Sequence, residues 1–122
     1  FSSLQMTDSR LTAFDLHRLR FVADLAVLSG CATGLNQITA ADEMLGIARG
    51  LLAGGVRASV LSLWDVRDEC AARFMGNFYR LLKDAPKAPA EAVRKASLDL
   101  RTTYESVRDW AAFYLVGAEK NV

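Results

Sequence analysis

Asp24-Leu25-Ala26-Val27-Leu28-Ser29-Gly30-Cys31-Ala32-Thr33-Gly34 is the segment from which the rest of the chain can be read. Its first half is short, apolar and bounded by Asp24 and Gly30, the pattern of a buried strand. Its second half is a glycine-bearing turn that contains a thiol. An α/β fold gathers its reactive groups at the carboxyl ends of its strands, so a cysteine in such a turn is a candidate nucleophile. Taken alone, a cysteine after a strand is more often plain core, because free cysteine is among the most buried residue types. Gly30 and Gly34 favour the reactive reading. They permit a tight turn in which the Cys31 amide and thiol point the same way, so that the amide can stabilise an oxyanion as sulfur attacks.

Working toward the amino end, Leu4 and Met6 alternate with Ser3 and Gln5 as in a short strand. Thr12-x-x-Asp15 resembles a capping box and predicts a helix of about two turns through Arg20. Toward the carboxyl end, Gly34–Gln37 reads as loop. Met44, Ala48, Leu51 and Leu52 then repeat at helical spacing between about Ala41 and the stop signal Gly54-Gly55. Asp42 and Glu43 fall in the first turn of that expected helix, where the macrodipole favours negative charge. Ala58–Leu63 is a second compact strand. Arg67–Lys83 is the clearest helix: Ala71, Phe74, Met75, Phe78 and Leu82 share one face, with Arg73, Asn77 and Arg80 opposite. Pro86 and Pro89 punctuate, and Pro89 suits a first helical position. The spacing then predicts a helix over Ala90–Tyr104 with Val93, Ala96 and Leu100 inward and Glu91 four residues before Lys95. Trp110–Val116, closed by Gly117, reads as a last strand.

The expected order is therefore β-α-β-α-β-α-α-β, an α/β fold with a mostly parallel sheet and helices on its faces. Parallel strands need cover on both faces and sheet edges need filling. Four short strands leave an edge open, so the sheet is expected to be incomplete on the N-terminal side. The chain also begins at Phe1 with residues that already look like structure.

A chain of 122 residues has room for one small domain. With 52% hydrophobic and 24% charged residues it has the composition of a globular protein, not a disordered one. A net charge of +1 and the lack of a Lys/Arg-rich run give no footprint for nucleic acid. No apolar stretch approaches the roughly 20 residues that cross a bilayer. Cys31 and Cys70 form no metal-ligand spacing, and no cofactor or metal is expected. With no secretory signal in view, the setting that fits is a reduced cytosol.

Five segments taken together carry a resemblance. Leu28-Ser-Gly-Cys31-Ala-Thr-Gly34, Ala41-Asp-Glu-Met-Leu-Gly-Ile-Ala-Arg-Gly50, Gly55-Val-Arg-Ala-Ser-Val-Leu-Ser-Leu-Trp64, Phe78-Tyr79 and Trp110-Ala-Ala-Phe113 closely resemble the CHAT domain, in consistent order over nearly the whole chain. That domain is a caspase-like cysteine peptidase module, related to separase and often attached to tetratricopeptide repeats. The resemblance implies a three-layer caspase-like fold, of which residues 1–122 are the C-terminal portion. It implies that Cys31 is the nucleophile of the family's Leu-Ser-Ala-Cys-Glu-Thr-Gly pattern. Gly30 stands where the family has Ala, and Ala32 stands where it has Glu, which removes a carboxylate beside the nucleophile. The partnering histidine of the family lies in a His-Gly stretch before the first residue of this chain. His17 lies on a predicted helix three residues after Phe14, where a histidine partly packed on its neighbours is the ordinary outcome, so it is not read as the base.

In caspase-like folds the residue two before the cysteine and the loop after the next strand shape the substrate pocket. Those positions map to Ser29 and to Trp64-Asp65-Val66-Arg67-Asp68. Trp64 would supply an apolar wall, and Asp65 or Asp68 would pair with a basic substrate side chain. The plainer readings are core for Trp64 and helix capping for Asp65 or Asp68. Cys70, on the charged start of a helix, reads as a passive side chain.

The reading this supports is the nucleophile-bearing portion of a cysteine endopeptidase. Its Cys-His dyad is completed upstream, and its partners are a protein or peptide substrate, the N-terminal half of the same domain and a tetratricopeptide-repeat region, with neither nucleic acid nor membrane. A second reading is a caspase-like module that no longer cleaves and acts as an interaction or regulatory partner, the direction in which Ala32 leans. A flavodoxin-like binding domain using Gly30–Gly34 as an anion loop ranks last, because the loop lacks a phosphate fingerprint.

Overall fold

The computed structural model of the chain describes residues 3–5, 10–12, 15, 18–28 and 37–117. Within them, β1 (Ser3–Gln5) and β2 (Arg10–Thr12) form an antiparallel hairpin with Leu4 opposite Leu11. A separate sheet has the order β3 (Leu25–Leu28), β4 (Ala58–Ser62), β5 (Phe113–Gly117). Four helices accompany it among the described residues: α1 (Gln37–Ala53), α2 (Asp68–Asp84), α3 (Pro89–Arg101) and the short α4 (Val107–Trp110).

The sheet is mixed. β3 and β4 run parallel, with Val27 opposite Val60 and Leu28 opposite Leu61. β5 returns antiparallel to β4, with Leu115 opposite Val60. The expectation of a mostly parallel sheet is therefore corrected. α2 and α3 carry the chain back and forth over the sheet as a packed helical pair, so β5 starts at the end where β4 leaves and runs antiparallel to it. Right-handed crossover logic applies only to the β3–α1–β4 unit.

Alternation along the strands sorts side chains to two faces. Leu25, Val27, Val60, Phe113 and Leu115 join one core with Phe74 and Phe78 of α2 and Val93, Ala96 and Leu100 of α3. Ala26, Leu28, Leu61, Tyr114 and Val116 join the other with Ile47, Ala48 and Leu51 of α1. The architecture is thus three layers, α1 on one face and α2 with α3 on the other. Central β4 is buried along its whole length, and β3 is half-buried.

The predicted core faces of α2 and α3 are observed, and on α1 Ala48 and Leu51 are buried as expected. On α2, Phe74 and Phe78 are fully buried, and Ala71, Met75 and Leu82 pack against the same cluster. The Phe74 ring stacks on Phe113 at 4.0 Å and on Phe78 at 5.8 Å between centroids. Arg73 and Asn77, expected opposite the core, are not free in solvent. Arg73 donates to both Asp99 carboxylate oxygens (2.8 and 3.2 Å) and to Thr103 Oγ1 (2.7 Å), and Asn77 donates to Asp99 Oδ2 at 2.5 Å. These bonds stitch α2 to α3 along the rim of the core. The Arg73 guanidinium, then the Asn77 amide, hold the Asp99 carboxyl below its usual pKa against a smaller opposing effect of burial. Glu91 meets Lys95 at 4.0 Å as its spacing suggests, but its shorter partner is Arg94 at 2.6 Å.

Helix ends follow local chemistry. α1 stops in a Schellman motif: the Val56 amide donates to Leu51 O (3.0 Å) and the Gly55 amide to Leu52 O (3.1 Å). Gly55 supplies the required positive φ of 111°. Pro89 occupies the first turn of α3.

Other expected boundaries move. Thr12 ends β2, and residues 13, 14, 16 and 17, on which its capping reading depends, lie outside the described residues. Asp15 and Arg18 do have helical backbone, but Leu19 and Arg20 do not. α1 starts at Gln37 and not near Ala41, so Asp42 and Glu43 lie beyond its first turn and the macrodipole reading of them is withdrawn. α3 stops at Arg101, with Thr102, Thr103 and Tyr104 in a tightened last turn. Trp110 belongs to α4, and β5 begins only at Phe113, where aromatic and branched residues favour a strand.

Candidate functional site

The parallel register puts the carboxyl ends of β3 and β4 at one edge of the sheet, with Leu28 and Leu61 side by side. The segment expected to carry chemistry leaves β3 there, and the loop expected to shape a pocket leaves β4 there. Cys31, Ser29 and the turn 29–36, together with His17, lie outside the described residues. The structure does describe the β4 side of this edge in full.

There the chain is fixed by its own backbone first. The Leu63 amide donates to Ala112 O at 2.8 Å, extending the β4–β5 pairing by one step beyond the strand. Trp64 follows, half-buried against the Phe74 core, and its indole Nε1–H donates to the Arg108 carbonyl at 2.8 Å. A tryptophan buried on one side and hydrogen-bonded at its polar edge is anchored. Trp64 is thus at once core and edge, and the plainer of its two expected readings holds.

Asp65 and Asp68 are exposed. Asp68 is the first residue of α2, and Asp68 and Glu69 place negative charge in its first turn, where the macrodipole favours it. Neither aspartate caps the helix. Its N-cap is Arg67, with no side-chain capping bond, so the capping reading is corrected. The structure places Trp64 and Asp65 in the short loop at the end of β4 and Asp68 at the start of the helix that follows it.

The residue that organises the loop was not singled out from the sequence. Arg67 donates from Nε to Asp109 Oδ1 (3.1 Å) and from Nη2 to Asp109 Oδ2 (2.7 Å), the two-pronged geometry that guanidinium and carboxylate share. Its Nη1 lies 3.1 Å from Glu69 Oε1, and its Cζ lies 5.2 Å from the centre of the Tyr104 ring. The hydrogen bond to Asp109 is the main reason the Arg67 pKa stands above its ordinary value. Partial burial, then the charge of Glu69, raise the Tyr104 hydroxyl above its usual pKa. No sequence signal would have found the pair, because Arg67 and Asp109 are 42 positions apart and each sits among other charges.

Cys70 is fully buried with a free thiol, one turn below this loop and within the Phe74 cluster. Its burial fits a passive side chain. Among the described residues no group of three or more His, Cys, Asp or Glu could hold a metal ion. None of their helices is long and apolar enough to cross a membrane.

With this edge in view, comparison with known proteins is specific. Residues 1–118 match the CHAT domain family. The chain belongs to the CHAT domain family. Tetratricopeptide repeat protein 28 of Mus musculus is 32% identical over 112 residues, covering 89% of this chain and 4% of the relative. The Homo sapiens protein of the same name is 30% identical over 112 residues, again covering 89% of this chain and 4% of the relative. The chain therefore spans only a small part of the curated relatives that it matches. No solved structure matches it.

Proposed function

We propose that this CHAT chain is the nucleophile-bearing portion of a caspase-like cysteine endopeptidase acting on a protein partner. In this reading Cys31 attacks the peptide carbonyl as the thiolate, and its own amide helps to hold the oxyanion. A histidine supplied from outside residues 1–122 takes the thiol proton and passes it to the leaving amine. Water then releases the acyl group from sulfur. Ser29 and the loop with Trp64, Asp65 and Asp68 would line the pocket, the exposed carboxylates favouring a basic side chain. A reducing cytosolic setting suits such a thiol. The relatives are named for tetratricopeptide repeats, and in this reading such repeats accompany the domain.

The observation that supports this most is the parallel β3–β4 register, which takes the strand leading to Cys31 and the Trp64–Asp68 loop to the same sheet edge. It is joined by the CHAT match across residues 1–118. The test is to treat the full-length protein that contains this chain with a peptidyl acyloxymethyl ketone and map the label. Labelling at Cys31, lost in Cys31→Ser, is the expected result.

A second reading has one feature in its favour. Ala32 stands where the family pattern has a carboxylate, which suits a module that binds and does not cleave. Absence of labelling at Cys31 in folded full-length protein, with partner capture unchanged in Cys31→Ser, would decide for it.

A further inference from the structure

We infer that Arg67 and Asp109 form a latch through which α4 sets the conformation of the loop 63–67 at the carboxyl edge of the sheet. Arg67 is thereby a positioning residue for the candidate site. The inference rests, for its link to the site, on the peptidase reading above; the latch itself rests on geometry alone.

α4 is a four-residue helix with no fully buried residue and no side-chain bond at its N-cap Ser106. A helix this short has no stability of its own, so its position is decided by what it touches. Two of those contacts come from the loop after β4, Trp64 Nε1–H to Arg108 O and the two-pronged Arg67–Asp109 pair, while Leu63 N–H to Ala112 O ties the start of the same loop to the segment between α4 and β5. On its other side Arg101 lies 5.2 Å from the centre of the Trp110 ring. The Asp109 side chain is only 17% exposed, whereas Arg67 is 55% exposed. Releasing the pair therefore strands a sheltered carboxylate, which ties the loop and the helix into one unit. The same guanidinium meets Glu69 and the Tyr104 ring, so its position is set from three sides. The latch thus joins the loop proposed to line the pocket to a small surface element remote in sequence. Whatever moves α4 also moves Trp64 and Asp65.

The experiment uses the full-length protein with Asp109→Asn, Arg67→Ala and the conservative Arg67→Lys. Amide exchange at Leu63 is expected to quicken about fivefold or more in the first two variants, with exchange at Val60, in the sheet centre, unchanged. Arg67→Lys is expected to fall between, because lysine keeps the charge and loses the fork. At the candidate site, the peptidyl reagent is expected to lose affinity for Cys31 about tenfold, while its limiting labelling rate and simple iodoacetamide labelling stay within about twofold. A uniform loss of both affinity and rate, or unchanged exchange at Leu63, overturns the inference. If the wild-type protein takes no peptidyl label, the peptidase reading fails on its own and the exchange result alone decides the latch.

Discussion

The two faces of the central sheet are filled by different means. Toward α2 and α3 the space is taken by rings: Phe74 lies flat between Phe113 and Phe78, and small helix residues such as Ala92 and Ala96 fit around them. Toward α1 the fully buried residues are small or aliphatic, and the aromatic Phe21 and Tyr114 lie against them only partly buried. Ala26, Ser59 and Leu61 of the strands meet Ile47, Ala48 and Leu51, with Gly50 buried beside them, and the α1 backbone comes close to β4. A single helix lying close needs small side chains, whereas two helices bridged over one side of the sheet need large ones to fill the gap beneath them. The polar groups differ as well. Ser62, whose position along β4 assigns it to the ring-filled face, has an interaction partner. The Ser59 hydroxyl on the α1 face is fully buried and has none among the described residues.

Breaking this contrast should cost most on the ring-filled side. Phe74→Ala removes a fully buried ring and its stacking partners' contacts, and a loss of about 3–5 kcal/mol is expected in urea unfolding. A loss below about 1 kcal/mol would mean that the aromatic layer is not the main support of that face. On the other face the opposite change is the informative one. Ala48→Leu adds bulk where the helix lies close, and about 1–3 kcal/mol of destabilisation is expected from the same measurement. A tolerated leucine there would refute close packing as the rule for α1. The smallest effect separates the two hydroxyls of β4. Ser59→Ala removes an unsatisfied buried group and should raise stability by about 1 kcal/mol, while Ser62→Ala should lower it. The same sign for both substitutions would erase the distinction.

Much of this was legible locally. The α2 stripe of Ala71, Phe74, Met75, Phe78 and Leu82, the Gly54-Gly55 stop and the opening of α3 at Pro89 all follow from spacing and backbone preference. What the sequence concealed depends on distant partners. β1 is expected from its alternation but its partner β2 is not, and the antiparallel entry of β5 depends on how the α2–α3 pair turns the chain. At the candidate site, it is the family resemblance that pairs the segment after β3 with the loop after β4, and the parallel register brings the ends of those two strands to one edge. The Arg67–Asp109 pair that governs the loop after β4 was beyond reach, because charged residues are common on any surface and only folding selects which of them meet.

Cys31 at the end of an apolar run, and the family to which the chain belongs, are properties of the sequence by itself, because an apolar strand pattern is encoded in neighbouring residues and family motifs are read in order along the chain. The mixed sheet, the unequal faces and the fastening of the Trp64–Asp68 loop to α4 were decided only by tertiary structure. Each of these rests on contacts between segments tens of residues apart, and no local preference of the chain specifies such contacts.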